Sequence, residues 1–297
     1  KSGPGLVRGE KIVKGGWATL KDIEDKFSFE YPRKGIDIGI PLGELQGKLV
    51  SVNPNKGKIK IAGHVLMIGA TGTGKSFTYI RNQIIASAAA GHSLVITDPK
   101  GELFQDTAKW LEKEGYNVIP FNVIDPAHSF WWNMLEECKD PDEVIDLAEW
   151  LIGSAGDDHA FFTGGEKNAL AAVIGFAKYM LPDEQKHMRA VLSILSWGQQ
   201  ELDIMMKNAF INGELPQDIY EMWNSCQLHY ESYREGIRNK LRPITKSGLA
   251  ALTSRSDFSL DTLGREKTAL FLILPAEEGD LQALLVPFYA FMFRRLN

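Results

Sequence analysis

The spacing of apolar residues changes twice along the chain and divides it into three textures. Residues 1 to 34 are polar and glycine-rich around one helical pattern, "ATLKDIEDKF"; "GIDIGIPL", "KLVSV" and "KIKIAGHVLMI" then alternate or run apolar between Gly and Pro and predict strands. Phe77, Ile80, Ile84 and Ala88 recur at helical spacing, and Gly91 stands where a left-handed cap ends such a helix. "SLVITD" predicts a short strand, "LFQDTAKWLEKEG" a helix with a Gly stop, and "YNVIPFNV" another strand. Strands alternating with helices in this way indicate a mostly parallel α/β sheet.

From about residue 136 the helical period takes over. In "DPDEVIDLAEWLIG" Asp140 can cap, Pro141 suits the first turn, and Val144, Leu147, Ala148 and Leu151 form one apolar face. Thr163 and Glu166 have capping-box spacing ahead of "KNALAAVIGFAKYML". Further helical patterns cover about 184–196, 199–211, 217–229 and 232–253, with no convincing strand among them. "KTALFLILP" then returns to the buried-strand pattern, and "DLQALLVPFYAFMFRRLN" reads as a helix. The expected organisation is an α/β domain (1–135 and 263–297) into which an all-α domain (136–262) is inserted.

Composition narrows the class. A 297-residue chain with 44% hydrophobic and 24% charged residues has a globular balance, and its formal charge of -5 means that any nucleic-acid contact must be local. Cys138 and Cys226 lie far apart without a metal-ligand spacing, which argues against a disulfide framework or zinc site. The most apolar run, "LLVPFYAFMF", is shorter than the roughly 20 residues needed to span a bilayer. The chain starts at Lys1 without a signal-peptide pattern, which suggests trimming at its front.

The strongest chemical signal is Gly69-Ala70-Thr71-Gly72-Thr73-Gly74-Lys75-Ser76, a match to G-x-x-x-x-G-K-[ST] placed between an apolar run and a helix. Such glycines let backbone N–H groups wrap a polyphosphate; Lys75 reaches the β and γ phosphates, and the Ser76 hydroxyl coordinates Mg²⁺. The helix that begins here, with Phe77 next in line, adds its positive end. The expected ligands are ATP and Mg²⁺. After "LVIT", Asp98 stands at the carboxyl end of a strand, where ligands bind in parallel sheets. It could order a Mg²⁺-bound water, or it could make a turn with Pro99 and cap the next helix.

With "GATGTGKS", "SLVITDPKGELF", "PFNVIDPAHSFWWNML", a helical insert and "DFSLDTLGREKTALFLILP" in this order, the sequence resembles the coupling ATPases of bacterial type IV secretion and conjugation, the TraG and TraD group. The resemblance covers nearly the whole chain, with "Asn133-Met-Leu" where the family more often has Asn-Pro-Leu. It implies a RecA-like P-loop motor domain with an inserted all-α domain, homo-hexamers around a channel, and ATP-driven movement of a relaxase-bound, single-stranded DNA into the secretion channel. It also implies a site at the cytoplasmic face of the bacterial inner membrane, reached through amino-terminal membrane helices that this chain lacks. The family's Asp-Glu strand, which polarises the attacking water, would follow Asn297, so the sequence is expected to be a fragment that binds nucleotide better than it hydrolyses it. Two alternatives share the features: a nucleotide-gated receptor for protein substrates without DNA pumping, and a translocase of the FtsK and HerA kind, which "DPKGEL" and the helical insert disfavour.

A cationic stretch inside the insert offers a candidate DNA surface. Arg234, Arg238, Lys240, Arg242 and Lys246 cluster there, the three arginines four residues apart on one helical face, with Tyr230 and Tyr233 near enough to stack on bases. A solvated helix face is the plainer reading. The aromatics of "SFWWNML" and Phe161-Phe162 are expected to serve packing, and His159 beside Asp157 and Asp158 a polar loop.

Overall fold

Thr19 opens the first helix by reciprocal capping: its Oγ1 accepts the Asp22 N–H at 3.3 Å while the Asp22 carboxylate accepts the Thr19 N–H at 2.8 Å, which starts α1 (Leu20–Lys26). The computed structural model of the chain describes residues 19–56, 63–70, 72–153, 160–245, 247–275 and 281–296. Its contacts divide into two units, residues 1–91 and 92–297.

In the first unit, β1 (Ile40–Leu45) and β2 (Lys48–Val52) pair antiparallel around Gln46-Gly47, both at positive φ (51° and 75°), the two-residue turn whose twist suits a hairpin. The predicted strand "GIDIGIPL" begins only at Ile40. Gly39 holds a left-handed φ of 74°, and a Cβ there would overlap the Val52 carbonyl, so the chain turns before it can pair. The predicted strand "KIKIAGHVLMI" is a correction: 57–62 lie outside the described residues, and 63–70 join no ladder, with Leu66 and Ile68 85% and 86% exposed. A run of strand-forming residues becomes a strand only when a neighbouring backbone takes its N–H and C=O groups. The helix after the phosphate loop forms as a π-helical turn, Ser76–Ile80, followed by α2 (Arg81–Ala90), which Gly91 ends at φ 87°.

In the second unit, β3 (Leu94–Thr97), α3 (Glu102–Lys113) and β4 (Asn117–Asn122) follow one another, and the chain later returns as β5 (Thr268–Ile273) between them. The sheet order is β3-β5-β4, all parallel, with Leu94 opposite Ala269 and Asn117 opposite Thr268. Every residue of β5 is buried, which is why its sequence runs apolar without alternation. Between β4 and β5 the described residues carry no strand.

Helices fill that interval. They begin with α4 (Met134–Glu137) and α5 (Pro141–Gly153), where Asp140 Oδ1 caps by accepting the Glu143 N–H at 2.8 Å and Val144, Leu147, Ala148 and Leu151 are fully buried. At the centre is α6 (Ala160–Met180), buried on all sides from Ala169 to Ala177. It starts at Ala160, which places Thr163 inside the helix with its side chain outside the described residues, and Glu166 meets Lys240. Around it lie α7 (Met188–Ile194), α8 (Gln199–Ile211), α9 (Gln217–Cys226) and α10 (Tyr230–Leu241). The single helix expected over 232–253 is broken: Pro243 has no N–H for the ladder, and a 3-10 turn, Arg242–Thr245, leads into α11 (Ser247–Leu252). Cys138 and Cys226 are buried free thiols whose pKa values burial pushes up to about 12.

The closing α12 (Gln282–Leu296) inserts Phe288 and Phe291 among Trp132, Phe121 and Trp150, at centroid distances of 4.9 to 6.4 Å. Trp132 of "SFWWNML" is thus a core residue. At the end of α12 the Arg295 guanidinium is 6% exposed and donates to both Glu143 oxygens, at 2.6 and 2.7 Å, with Glu137 Oε2 at 3.8 Å and Asp261 Oδ1 at 3.6 Å. Burial alone would raise the Glu143 carboxyl, but the hydrogen bonds from Arg295 and the Lys139 N–H hold it below its usual range. For Glu137 burial wins and the pKa rises, despite N–H groups of Leu260 and Trp132 at 3.2 and 3.1 Å.

These two shifts have opposite linkage. Glu143 contributes stability that is present above its unfolded value of 4.5 and lost as pH falls through its lower folded pKa; Glu137, bound to a proton more readily when folded, stabilises as pH falls toward 4.5. Glu137→Gln removes the opposing contribution. Its urea midpoint is therefore expected to drop more between pH 7 and pH 4 than that of the unsubstituted chain, and equal drops would refute the assignment.

Candidate functional site

The phosphate loop is shaped by its glycines. Gly72 and Gly74 hold φ of 82° and 81°, and a Cβ on Gly69 would lie 2.8 Å from Thr73 Oγ1 and 3.4 Å from Lys75 Cδ. The left-handed conformation at Gly72 and Gly74 is one that side chains disfavour, and the turn is closed by the Thr73 N–H, which donates to the Ala70 carbonyl at 3.3 Å. Thr73 Oγ1 donates to the Ala70 carbonyl at 2.7 Å, and the Lys75 ammonium donates to the carbonyls of Gly69 at 2.6 Å and Ala70 at 2.8 Å. The lysine head thus lies over the loop that its motif assigns it to serve. The Gly74 carbonyl accepts both the N–H and the hydroxyl of Thr78 at 2.8 Å, which anchors the loop to the helix. Ser76 is exposed at the first helical position, and Phe77 is 68% exposed with the Arg81 guanidinium 5.3 Å from its ring centre. Gly69, Ala70, Gly72, Thr73, Gly74, Lys75, Ser76 and Phe77 therefore sit together, while Thr71 lies outside the described residues. The glycine cradle, the ammonium and the helix start fit a polyphosphate.

Asp98, in the second unit, is 2% exposed. Its N–H continues the β3 ladder to the Leu272 carbonyl at 2.9 Å, its carbonyl accepts the Gly101 N–H at 3.2 Å, and its Oδ2 accepts the Phe104 N–H at 2.9 Å. Gly101, at φ 72°, makes the turn. The carboxylate thereby satisfies a first-turn N–H of α3 and complements that helix's positive end, which is the turn-and-cap arrangement of the two readings.

The cationic stretch separates by direction. On α10 the buried stripe is Tyr230, Tyr233, Ile237 and Leu241, so the tyrosines expected to stack on bases are core residues; Tyr230 packs edge-on to Trp223 at 5.2 Å. Lys240 also points inward and meets Glu166 at 2.6 Å, both nearly buried, and Arg234 pairs with Glu231 at 2.8 Å while donating to the Trp197 carbonyl at 3.2 Å. Lys246 lies outside the described residues. Arg238 and Arg242 are exposed and line a cleft of about 560 Å³ with Arg189, Leu192, Glu235 and Asn239. Arg189, on α7, carried no sequence signal, because only the packing of α7 brings it to α10.

His159, Asp157, Asp158 and the side chains of Phe161 and Phe162 lie outside the described residues. Among the described residues no group of three or more His, Cys, Asp or Glu could hold a metal ion, and no helix is long and apolar enough to cross a membrane.

The family model described as "Type IV secretory system Conjugative DNA transfer" matches residues 17–297. Two conjugal transfer proteins TraG from Escherichia coli are similar: one is 31% identical over 184 residues, covering 56% of this chain and 27% of the relative, and the other 24% identical over 298 residues, covering 89% and 45%. The chain thus spans between about a quarter and under half of these relatives' length. Among solved structures, the conjugative coupling protein TrwB resembles it in an unbound form and in complex with the non-hydrolysable GTP analogue GDPNP, each with a TM-score of 0.52 and 18% identity over 76% of this chain. The match covers 50% and 51% of those chains and shows the fold: RecA-like α/β with a helical insert.

Proposed function

The chain belongs to the type IV secretory system conjugative DNA transfer family, and from that premise we propose that it is the ATP-binding part of a coupling ATPase that moves DNA, with its attached relaxase, into a secretion channel. The observation that carries the nucleotide reading is the loop from Gly69 to Ser76, with two left-handed glycines and the Lys75 ammonium held over its own carbonyls at 2.6 and 2.8 Å. Those carbonyls keep the lysine head at the loop until phosphate oxygens replace them. The similarity to TrwB, a coupling protein seen with GDPNP, supports the same ligand class.

The residues divide the work. Backbone N–H groups of the loop and the start of the helix bind phosphate oxygens, Lys75 balances their charge, and the Ser76 hydroxyl is the metal-facing group. Mg²⁺, when bound, supplies charge stabilisation on the phosphoryl oxygens, which is where phosphoryl transfer needs it. We assign Asp98 a supporting role, in which it fixes the strand-turn-helix of "ITDPKGELF" by capping α3. Assembly as a homo-hexamer at the cytoplasmic face of the inner membrane, and recruitment of a single strand, are parts of the same proposal and belong to the whole protein.

Lys75→Ala tests it. A charge-assisted hydrogen bond is worth about 1.5–3 kcal/mol, so affinity for a non-hydrolysable ATP analogue, measured by isothermal titration, is expected to fall roughly 10- to 100-fold. Undiminished affinity in the variant refutes the site.

A further inference from the structure

Three arginines line one concave surface, Arg189 from α7, Arg238 from the last turn of α10 and Arg242 from the 3-10 turn that follows it, and among the described residues the cleft carries one carboxylate, Glu235. Of the other cations on α10, Arg234 meets Glu231 and the Trp197 carbonyl, and Lys240 meets Glu166. In a chain of formal charge -5 this local excess focuses a positive potential in a recess of about 560 Å³. Arginine suits phosphate binding, because its planar fork meets two phosphate oxygens at once. Arg238 sits in the last turn of α10 and Arg242 at its C-terminal cap, one helical turn or about 6 Å further on.

From this arrangement we infer that the cleft between α7 and α10 grips the sugar-phosphate backbone of a nucleic-acid strand without reading its bases. Among the described residues the lining holds no aromatic side chain, and Tyr230 and Tyr233 are buried in the core, so these residues offer no platform for base stacking. An acidic peptide would look for apolar anchors, and among the described residues the lining offers only Leu192. Phosphates supply what the cleft asks for: regularly repeated bidentate acceptors whose binding is sequence-independent and salt-dependent. The inference deepens the proposed DNA role by locating a surface for it and by adding Arg189 to the residues that serve it.

The test is fluorescence anisotropy of labelled oligothymidine and of a mixed-sequence strand with the full chain, across a salt series. Arg189→Glu/Arg238→Glu is compared with the charge-matched Lys113→Glu/Lys207→Glu, whose sites are exposed on α3 and α8. The cleft variant is expected to lose about tenfold or more in affinity for both strands. Its log-log salt slope should also be shallower by about 0.7 for each phosphate that it no longer neutralises. Arg189→Lys/Arg238→Lys keeps the charges without the forks and is expected to retain the slope with a smaller loss of affinity, which guards against a glutamate variant that misfolds. Equal binding by the cleft and control variants overturns the cleft and leaves the DNA role standing. No binding by the unsubstituted chain overturns both. Polyglutamate bound in place of the oligonucleotide, and released by the cleft variant, makes the surface a peptide site and overturns the nucleic-acid assignment; none of these outcomes bears on Lys75.

Discussion

Replacing Arg295 by alanine is expected to lower the unfolding free energy by about 3 kcal/mol, because it takes from the buried Glu137 and Glu143 the cation nearest to both and leaves Glu143 only the more distant Arg294, at 3.7 Å. The guanidinium is 6% exposed and Glu143 is 7% exposed, so water does not substitute for the missing partner. Both Glu143 oxygens lose a hydrogen bond of 2.6 or 2.7 Å, and Glu137 and Asp261 lose a cation within 3.8 Å. Urea unfolding of Arg295→Ala against the unsubstituted chain measures the loss. The double variant Arg295→Ala/Glu143→Ala removes the stranded carboxylate together with the cation and is expected to recover part of it, since the effects of residues that touch are not additive. A loss of about 1 kcal/mol or less, the range of exposed ion pairs, would mean that the cluster is solvated in solution. The cluster has an architectural consequence: it ties the last turn of α12 to α4 and α5, so the helix that follows β5 is bound to the insert by charge as well as by Phe288 and Phe291.

Features written in local chemistry are legible in the amino-acid sequence. The buried run of β5, the Asp140 cap and apolar face of α5, the Gly91 stop of α2 and the glycine spacing of the phosphate loop each depend on residues within a turn or two of one another. Resemblance to the coupling ATPases adds the family, which periodicity does not supply. What is illegible depends on distant partners. Nothing near "HVLMI" says whether another backbone will accept it as a strand, and nothing near Glu166 says that Lys240, in a helix far along the chain, will meet it. The cationic stretch shows the same division. Its charge pattern is visible, but which side chains face inward is settled by the stripe that α10 buries, and that stripe takes the two tyrosines as well. Arg189 joins the cleft only through the placement of α7.

A close approach of two helices within the insert gives the second large effect. On α6 the residues Ala169, Ala171, Ala172, Gly175 and Ala177 are buried and small, so neighbouring helices can come nearer than side chains of ordinary size allow. A Cβ on Gly175 would overlap Ile219 Cγ2 and lie 2.9 Å from its Cδ1 and Cγ1. Ile219 is fully buried on α9 and β-branched, hence held to few rotamers, so it cannot swing aside. Gly175→Leu must therefore push α9 away from α6 across a close-packed interface, at an expected cost of about 3 kcal/mol or more. The helix-forming preference of leucine over glycine returns less than about 1 kcal/mol of that. Gly175→Leu/Ile219→Ala moves the bulk from one helix to the other at similar total volume, and such exchanges are tolerated better than net overpacking. The double variant is thus expected to be more stable than Gly175→Leu alone, although Ile219→Ala by itself costs about 2–5 kcal/mol. Thermal or urea unfolding of the three variants decides it: a double variant no more stable than Gly175→Leu would mean that the helices do not meet at this pair, whereas recovery fixes α9 against α6.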